Sequence, residues 1–371
     1  MDDEDLLLAG LMEEYTLMTG GEPQSLNEAL SGSEADKWRA AVHTELDQIK
    51  KLGTWCIVEA PTGVNIVYSK FVFRLKHDEN GIVIKHKARL VAQGFTQKFS
   101  IDYFDTRVWI IRWETLCNLL AQAASNGSII HQADIKNAYL NAEMKEDVYI
   151  DLPPGYTLFQ QLPPNPNQKR LICNPVKGLY GTKQAGCGWY MKLHDTFLKL
   201  GYKASHADLG VFYKFSGDDK YTIIAAATND LTIIAKSIDS AQLIKRQLNE
   251  HFKIVDLGKI KWLLGVHITR NLENQTISLG QQSYIDDIVK HFGLEDTRSA
   301  STPIKPSTDL TPGTPHILPI KLTAQECSNY REIIGSLLYC SRVTRADCTY
   351  AISTLSCYLE DPSITHRTAA H

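Results

Sequence analysis

The chain has 371 residues, of which 43% are hydrophobic, enough for a sizeable buried core divided among two or three subdomains. No run of about 18 apolar residues occurs, so the sequence predicts no membrane span. The net charge of −3 is unevenly distributed: residues 1–36 hold ten acidic and no basic side chains, leaving 39 basic against 32 acidic ones in residues 37–371. That basic body is compatible with a polyanionic partner. Eight cysteines without C-x-x-C spacing favour reduced thiols in an intracellular protein, cytoplasmic or nuclear, over a zinc site.

The first predicted elements follow an acidic stretch. Its composition and its Gly and Ser breakers predict that residues 1–36 are a disordered leader. Glu34–Leu52 then shows Trp38, Val42, Leu46 and Ile49 at helical spacing, which predicts an amphipathic helix. Residues 66–93 predict a β-hairpin, with Asn80-Gly81 as its turn signal.

Basic side chains alternate along both strands of this hairpin. Alternation places three of them on one face of each strand, and strand pairing would gather six cations on one side. Such a face could hold a triphosphate or a nucleic-acid backbone. An ordinary solvated strand face explains the pattern equally well. The six side chains are Lys70, Arg74, Lys76, Lys85, Lys87 and Arg89.

Two acidic positions at the ends of apolar segments come next. A predicted helix, Arg112–Asn126, precedes an apolar strand that ends at Asp134, and Tyr221–Ala235 predicts two short strands around Asn229-Asp230. A carboxylate at such a strand end could be presented to a metal and a phosphate. It could equally cap a turn, and Asn-Asp also suits a simple hairpin tip.

The remaining chain predicts mostly helices. Val176–Leu200 reads as a glycine-punctuated turn that enters a helix, and a further hairpin is predicted from Trp262–Arg270 with Gln275–Gly280. Asp239–Phe252 and Ser283–Phe292 predict helices. Residues 296–323 are rich in Pro, Ser and Thr and predict a linker, after which the chain turns helical again.

Several segments, found in one order, together resemble a single family. They are EADKWRAAVHTELDQIKKLGTW, KHKARLVAQGFTQKFSIDYFDT, HQADIKNAYLNAEMKEDVYIDLPPGY, VKGLYGTKQAGCGWY, KWLLGVHI, STPIKP and YREIIGSLLYCSRVTRADCTYAIS. They resemble the reverse transcriptase of copia-type long-terminal-repeat retrotransposons, the polymerase segment of a pol polyprotein. The resemblance runs from about Trp38 to the last residue.

The resemblance implies an α+β right-hand polymerase with fingers, palm and thumb. Its palm would be an antiparallel sheet with helices on one face. Residues 37–238 would form the fingers and palm, 239–295 a thumb-like region, and 296–371 a linker and truncated connection region. Such a protein builds DNA from deoxynucleoside triphosphates on a primed RNA or DNA template, using two Mg²⁺ ions, and needs no membrane.

The same resemblance assigns roles to individual residues. Asp134 and Asp230 match metal ligands, and Asn229 occupies the remaining catalytic position beside them. Tyr139 and Gln184 match residues beside the incoming nucleotide. Lys87 and Arg89 lie in the segment that meets its triphosphate, and Leu264-Gly265 resembles the turn that grips the primer.

The chain departs from the family at its second metal motif. Where the family has Tyr-x-Asp-Asp, this chain has Ala227-Thr228-Asn229-Asp230. Asparagine keeps the shape of aspartate but replaces an anionic carboxylate by a neutral amide, which weakens the attraction for a divalent cation. Gly186-Cys187 and Arg107-Val108-Trp109 are further departures. We therefore predict impaired polymerisation; the alternative is a catalytically inactive, nucleic-acid-binding retrotransposon remnant.

Overall fold

A computed structural model describes residues 22–77, 82–217, 221–297, 300–305, 308, 310 and 321–371. The chain divides into two compact units, Met1–Ile260 and Lys261–His371. The division falls inside residues 239–295, the region predicted as thumb-like. Residues 1–21, most of the predicted leader, and the hairpin turn at 78–81 lie outside the described residues.

The first unit combines helices with short strands. Its helices are α1 (Leu26–Ser31), α2 (Ala35–Lys51), α3 (Trp113–Ser125), α4 (Ala185–Lys199) and α5 (Ile238–Asn249). Its strands are β1 (Trp55–Glu59), β2 (Ile66–Val67), β3 (Ser69–His77), β4 (Val83–Ala92), β5 (Ile129–Ile135), β6 (Tyr149–Asp151), β7 (Leu171–Pro175), β8 (Lys203–Ala204), β9 (Val211–Phe215), β10 (Tyr221–Ala227), β11 (Asp230–Ala235) and β12 (Ile254–Lys259).

A six-stranded sheet forms the centre of the first unit. Its strand order is β12-β5-β11-β10-β9-β8, and every neighbouring pair is antiparallel. Helices α4 and α5 pack on one face because apolar side chains recur at every second position of the strands and at helical spacing along the helices. The buried core between them includes Ala133, Ile135, Leu231, Ile233, Trp189, Leu193, Phe197, Ile244 and Leu248. The predicted α+β class, with an antiparallel sheet and helices on one face, is confirmed.

The predicted basic hairpin is present as the pair β3–β4. Phe71 and Phe73 of β3 and Leu90 of β4 are buried, together with Trp38 of α2. The Trp38 ring meets that of Phe73 edge-on, with 5.2 Å between centroids. A second sheet beside it has the order β1-β7-β6-β2, in which β2 and β6 run parallel. The helix predicted over Glu34–Leu52 is confirmed as α2.

Residues 22–36, the described part of the predicted leader, form defined secondary structure and contacts. Helix α1 is capped by the Ser25 side chain and buries Leu26 and Ala29. Glu22 is also buried, and its carboxylate accepts hydrogen bonds from Arg74 Nη1 at 2.5 Å and from the Leu75 amide at 2.8 Å. Residues 22–36 therefore differ from the prediction of disorder. Composition alone could not reveal that these few apolar and acidic groups have specific partners.

The second unit contains a small sheet and a helical group. Strands β13 (Trp262–Leu263), β14 (Val266–Asn271) and β15 (Thr276–Gly280) pair in sequence, so the predicted hairpin gains a third strand. The helices are α6 (Gln282–His291), α7 (Ala324–Val343), α8 (Thr349–Ser356) and α9 (Ile364–Ala370). A Thr323–Glu326 capping box starts α7, whose Tyr330 is buried. Within the described ranges, no helix is long and apolar enough to cross a membrane.

Candidate nucleic-acid and metal site

Strand pairing brings the two predicted acidic positions together. Asp134, at the end of β5, lies directly opposite Asp230, the first residue of β11. The backbone amide of Ile135 donates to the Asn229 carbonyl at 2.9 Å and extends this pairing by one step. The structure thus places Asp134, Asn229 and Asp230 at one end of the central sheet. Side chains directly opposite one another on an antiparallel pair are close neighbours, so these three groups share one local electrostatic environment.

The Asn229 side chain is bonded to Asp134. Its Nδ2 atom donates a hydrogen bond to Asp134 Oδ1 over 2.5 Å. Chemistry fixes the direction of this bond, because the flipped amide would face one acceptor oxygen towards another. One carboxylate oxygen of Asp134 therefore already accepts a hydrogen bond from an amide.

The turn that carries Asn229 is held in place from behind. Thr228 has a φ of 54°, a left-handed conformation that is costly for a β-branched residue. The indole Nε1 of the buried Trp189 donates to the Thr228 carbonyl at 2.8 Å. The turn is thus anchored to helix α4, and this anchoring fixes the backbone from which the Asn229 side chain reaches Asp134.

The donor set does not suit a pair of magnesium ions. Magnesium prefers carboxylate and other hard oxygen ligands at short distance. Asn229 directs an amide nitrogen, and not an oxygen, to Asp134. Among the described residues, no group of three or more His, Cys, Asp or Glu side chains is arranged to hold a metal ion. The residues at this strand end therefore do not fit the two-ion arrangement that the family resemblance implies.

The hairpin β3–β4 does carry its cations on one face. In its register Arg74 lies opposite Lys87, and Lys76 opposite Lys85. Lys70 and Arg89 occupy positions of the same alternating set, while Phe71, Phe73 and Leu90 are buried on the other face. The predicted one-sided arrangement of six cations is confirmed by this register.

The positive charge is not evenly distributed over this face of the hairpin. Arg74 is paired with Glu22, so part of its charge is neutralised. Partial burial, together with the neighbouring charges of Arg89 and Lys76, lowers the pKa of Lys87 to about 8. Lys87 is thus a cation that its surroundings make easy to deprotonate, and an incoming anion would stabilise its charged form.

Aromatic contacts connect Arg89 with Tyr139. The guanidinium of Arg89 lies over the Tyr180 ring, 4.4 Å from its centroid. Tyr180 also meets Tyr139 edge-on, at 5.2 Å between ring centroids. Tyr139 begins a short 3₁₀ turn, Tyr139–Asn141, soon after β5. Sequence reasoning did not single out Tyr180, although it lies four residues before Gln184 in the same motif.

Gln184 is buried, and both ends of its amide have protein partners. Its Oε1 accepts from Gln97 Nε2 at 3.0 Å, and its Nε2 donates to the Asp102 carbonyl at 2.8 Å. Gln97 Oε1 also accepts from the Lys183 amide at 2.8 Å. Gln184 therefore ties the segment after β4 to the start of α4. Sequence reasoning missed Gln97, for which the only signal was its place in the QGFTQ segment.

Leu264 and Gly265, the predicted primer-gripping pair, form the two-residue turn between β13 and β14 in the second unit. Their φ values are 50° and 78°, as a type I′ hairpin turn requires. The Tyr339 hydroxyl of α7 donates to the Leu264 carbonyl. The turn is therefore fixed to the helical part of its own unit.

Comparison with known proteins gives a consistent result. The reverse transcriptase (RNA-dependent DNA polymerase) family model matches residues 52–306. The chain is 31% identical over 364 residues to the Retrovirus-related Pol polyprotein from transposon TNT 1-94 of Nicotiana tabacum, an alignment covering 95% of this chain and 26% of the relative. It is 29% identical over 360 residues to the corresponding polyprotein from transposon RE1 of Arabidopsis thaliana, covering 95% and 23%.

A similar solved structure is that of a foamy viral protease-reverse transcriptase in complex with double-stranded DNA. The likeness has a TM-score of 0.41 at 9% sequence identity, and covers 90% of this chain and 46% of that one.

The family model defines the class of protein, a reverse-transcriptase-type domain, and the two polyproteins agree with it. The chain belongs to the reverse transcriptase family, as a copia-type segment of a pol polyprotein. It spans about a quarter of the length of the curated relatives it matches. The predicted family is therefore confirmed.

Proposed function

We propose that this chain binds a primer–template duplex as the polymerase segment of a retrotransposon, and that it has lost templated DNA synthesis. The observation that carries the proposal is the hydrogen bond from Asn229 Nδ2 to Asp134 Oδ1 at 2.5 Å. This neutral amide stands where the family motif supplies a carboxylate. Reverse transcriptases use divalent metal ions, and this strand end does not fit two of them.

The expected loss of rate follows from the lost charge. At about 4 Å and an effective dielectric constant of about 20, a carboxylate attracts a divalent cation by roughly 8 kcal/mol. If only a quarter of this attraction were missing in the transition state, the rate would drop about thirtyfold, since about 1.4 kcal/mol is tenfold. Asn229 alone is therefore sufficient reason to expect slow synthesis.

Binding of the duplex does not need that missing charge. The cationic face of β3–β4 presents Lys70, Lys76, Lys85, Lys87 and Arg89 on one side of a rigid hairpin. Phosphate contacts of this kind supply most of the sequence-independent affinity for nucleic acid.

A second candidate is a surviving, slow RNA- or DNA-templated polymerase. The register that places Asp134 opposite Asp230 favours it, because two carboxylates still meet at the strand end. In that case Lys87, Arg89, Tyr139 and Gln184 would surround the nucleoside triphosphate, and Leu264-Gly265 would hold the primer. The free state of all eight cysteines supports an intracellular site of action for either candidate.

Primer extension on an RNA template, first with Mg²⁺ and then with Mn²⁺, distinguishes the two candidates. We expect no extension by the unaltered chain. We expect none from Asn229→Asp either, because Gly186 and Cys187 also depart from the family motif. Extension that disappears in Asp134→Ala would establish the slow polymerase instead, and vigorous synthesis by Asn229→Asp would show that Asn229 is the sole defect.

Fluorescence anisotropy with a labelled primer–template duplex tests the binding itself. Replacing Lys76 and Lys85 by Gln should reduce the slope of log affinity against log salt by about two, one for each lost phosphate contact. Replacing Lys192 and Lys199, two exposed lysines of α4, is the matched control and should leave the slope unchanged. Equal slopes for both double variants would exclude the hairpin as the binding face.

A further inference from the structure

One cation of the basic hairpin is occupied by a carboxylate from the N-terminal segment. Glu22 is buried and uses both of its carboxylate oxygens. Its Oε2 accepts from Arg74 Nη1 at 2.5 Å, and its Oε1 accepts from the Leu75 backbone amide at 2.8 Å. A guanidinium beside a backbone amide is a two-donor arrangement suited to any oxyanion, a phosphate as well as a carboxylate. The Glu22 carboxylate thus shows that this part of β3 can hold an anion.

Packing of helix α1 holds Glu22 beside Arg74. Leu26 and Ala29 of α1 are buried in the same core cluster as Phe71 and Phe73 of β3. The Glu22 carboxylate is therefore tethered close to its site, and a short tether gives it an effective concentration in the millimolar range. A small free anion at micromolar concentration would not displace it. A competing ligand must itself be held nearby by other contacts.

The neighbouring cations would hold a polyanion in that way. Arg74 lies opposite Lys87, and Lys76 lies opposite Lys85 one step further along the same face. Side chains two residues apart on a strand are separated by about 7 Å, within reach of one phosphate backbone. A polyanion bound by Lys76 and Lys85 would therefore place further phosphates next to Arg74, and its charge would repel the Glu22 carboxylate.

We propose that the Arg74 guanidinium and the Leu75 amide form an oxyanion site that Glu22 blocks and that a phosphate group takes when Glu22 withdraws. Glu22 is then an autoinhibitory contact, which lowers the affinity of the basic hairpin for polyanions. While Glu22 is in place, the hairpin makes one phosphate contact fewer than its cations allow. The part of this inference that concerns nucleic acid rests on the duplex binding proposed above.

Fluorescence anisotropy with a labelled duplex over a range of salt concentrations tests the blocking role. Glu22→Gln removes the competing charge and should bind about fivefold more tightly at low salt, as one additional, partly exposed phosphate contact allows. Its slope of log affinity against log salt should be steeper by about one. The double variant Glu22→Gln/Arg74→Gln should lose both gains, because the released cation is then absent. Asp36→Asn is the matched control, since it removes one charge from an exposed position of α2 and should leave the slope unchanged.

Thermal melting with sodium tripolyphosphate tests the oxyanion site without a duplex. Sodium chloride at the same ionic strength is the reference buffer. Loss of the ion pair should make Glu22→Gln melt lower than the unaltered chain in that reference. Tripolyphosphate should then raise the melting temperature of Glu22→Gln more than that of the unaltered chain, and this selective increase should disappear in Glu22→Gln/Arg74→Gln.

The outcomes distinguish this inference from the proposed function. If the unaltered chain binds the duplex but Glu22→Gln binds it with the same slope, or the gain persists in the double variant, Glu22 does not block Arg74 and the inference is overturned. If none of the proteins binds the duplex, the proposed function fails, and melting still decides the oxyanion site. A Glu22→Gln variant that melts lower and gains no more from tripolyphosphate than the unaltered chain would show that the pair is only a structural tie.

Discussion

Single side chains set the charge at the strand end that carries Asp134 and Asp230. Aspartate and asparagine have almost the same shape. An asparagine at position 229 therefore leaves the turn before β11 unchanged, but gives this strand end one negative charge fewer than an aspartate would. The position of Asn229 could be predicted from the motif alone. Its bond to Asp134 could not, because that bond depends on pairing between strands whose partners lie 95 residues apart in the sequence.

Lys87 should make the proposed duplex binding by the β3–β4 face depend on pH. Its pKa is lowered to about 8, so its charge is present at neutral pH and is lost as the pH rises above that value. Duplex affinity should therefore decline between pH 7 and 9 in the unaltered chain. Lys87→Arg, which stays protonated throughout, should bind with little change over the same range. Parallel pH profiles for the two proteins would show that Lys87 does not contact the polyanion.

The lowered pKa of Lys87 also affects folding stability, which should increase with pH whereas duplex affinity should decrease. The folded protein releases the Lys87 proton near pH 8, whereas an unfolded lysine keeps it to about 10.5. The unfolded state thus holds more protons in this window, and this residue makes the folded state more stable as the pH rises from about 8 to 10.5.

Lys245 is a further lysine for which the structure gives a prediction. Its role, unlike that of Lys87, was not evident from the sequence. It belongs to α5, is almost completely buried, and is paired with Asp256 while its Nζ lies 3.2 Å from His131 Nδ1. Lys245→Ala should reduce the free energy of unfolding by about 1–3 kcal/mol, because the buried end of the pair is lost while the more exposed Asp256 can be solvated. Urea unfolding measures this loss. Arg246→Ala, an exposed neighbour on the same helix, should cost less than about 0.5 kcal/mol; an equal cost for both would contradict the role of the pair.

At the scale of elements, the end of β4 and the turn before α4 are in close backbone contact. The Ala92 amide donates to the Tyr180 carbonyl at 2.7 Å. Gly181 has a φ of 83°, and a Cβ there would lie 2.2 Å from the Ala92 carbonyl oxygen. A Cβ on Gly94 would lie 2.1 Å from the Gly181 oxygen. Because neither glycine has a Cβ, the backbone at the end of the basic hairpin can pack directly against the turn before the helix that begins beside Gln184.

Gly181→Ala should consequently destabilise the first unit by more than the strain of a positive φ alone. That strain is about 1–2 kcal/mol, and the backbone clash should add a further 1–3 kcal/mol. Gly63→Ala is the control, because Gly63 also has a positive φ of 79° but open space around its Cβ position. Chemical denaturation of both variants gives the comparison; if both cost the same, the contact between hairpin and turn has little energetic weight.

Most elements of this chain could be predicted because their periodicity is strong. The amphipathic pattern of α2, the alternation of β3 and β4 and the apolar segments around Asn229 all correspond to observed elements. Helix α1 could not be predicted, since its few residues are stabilised by a Ser25 cap and by burial of Leu26 and Ala29, contacts that local composition does not reveal. Pairing order in the sheets is equally inaccessible to local patterns, because it is decided by contacts distant in sequence.

At the scale of the whole molecule, the acidic N-terminal stretch should weaken the proposed binding to a polyanion. Residues 1–21 contain six acidic and no basic side chains, so removing them changes the net charge from −3 to +3. The truncated chain keeps Glu22, which pairs with Arg74. It should bind a duplex more tightly than the full chain at low salt, and the two should converge at high salt as charges are screened. A difference that persists at high salt would indicate a role for residues 1–21 other than their charge.

The order of strands in the central sheet also governs when the amide–carboxylate pair can form during synthesis of the chain. Strands β10 and β11 are joined by only two residues and can pair as soon as both have emerged. Asp134 lies 95 residues before Asn229, so its strand must wait for β11, and closing so long a loop carries an entropic cost that the local hairpin avoids. On the ribosome, Asp134 thus stays solvated until the β10–β11 hairpin docks against β5. A nascent chain that ends before residue 229 would contain the Asp134 carboxylate without its amide partner.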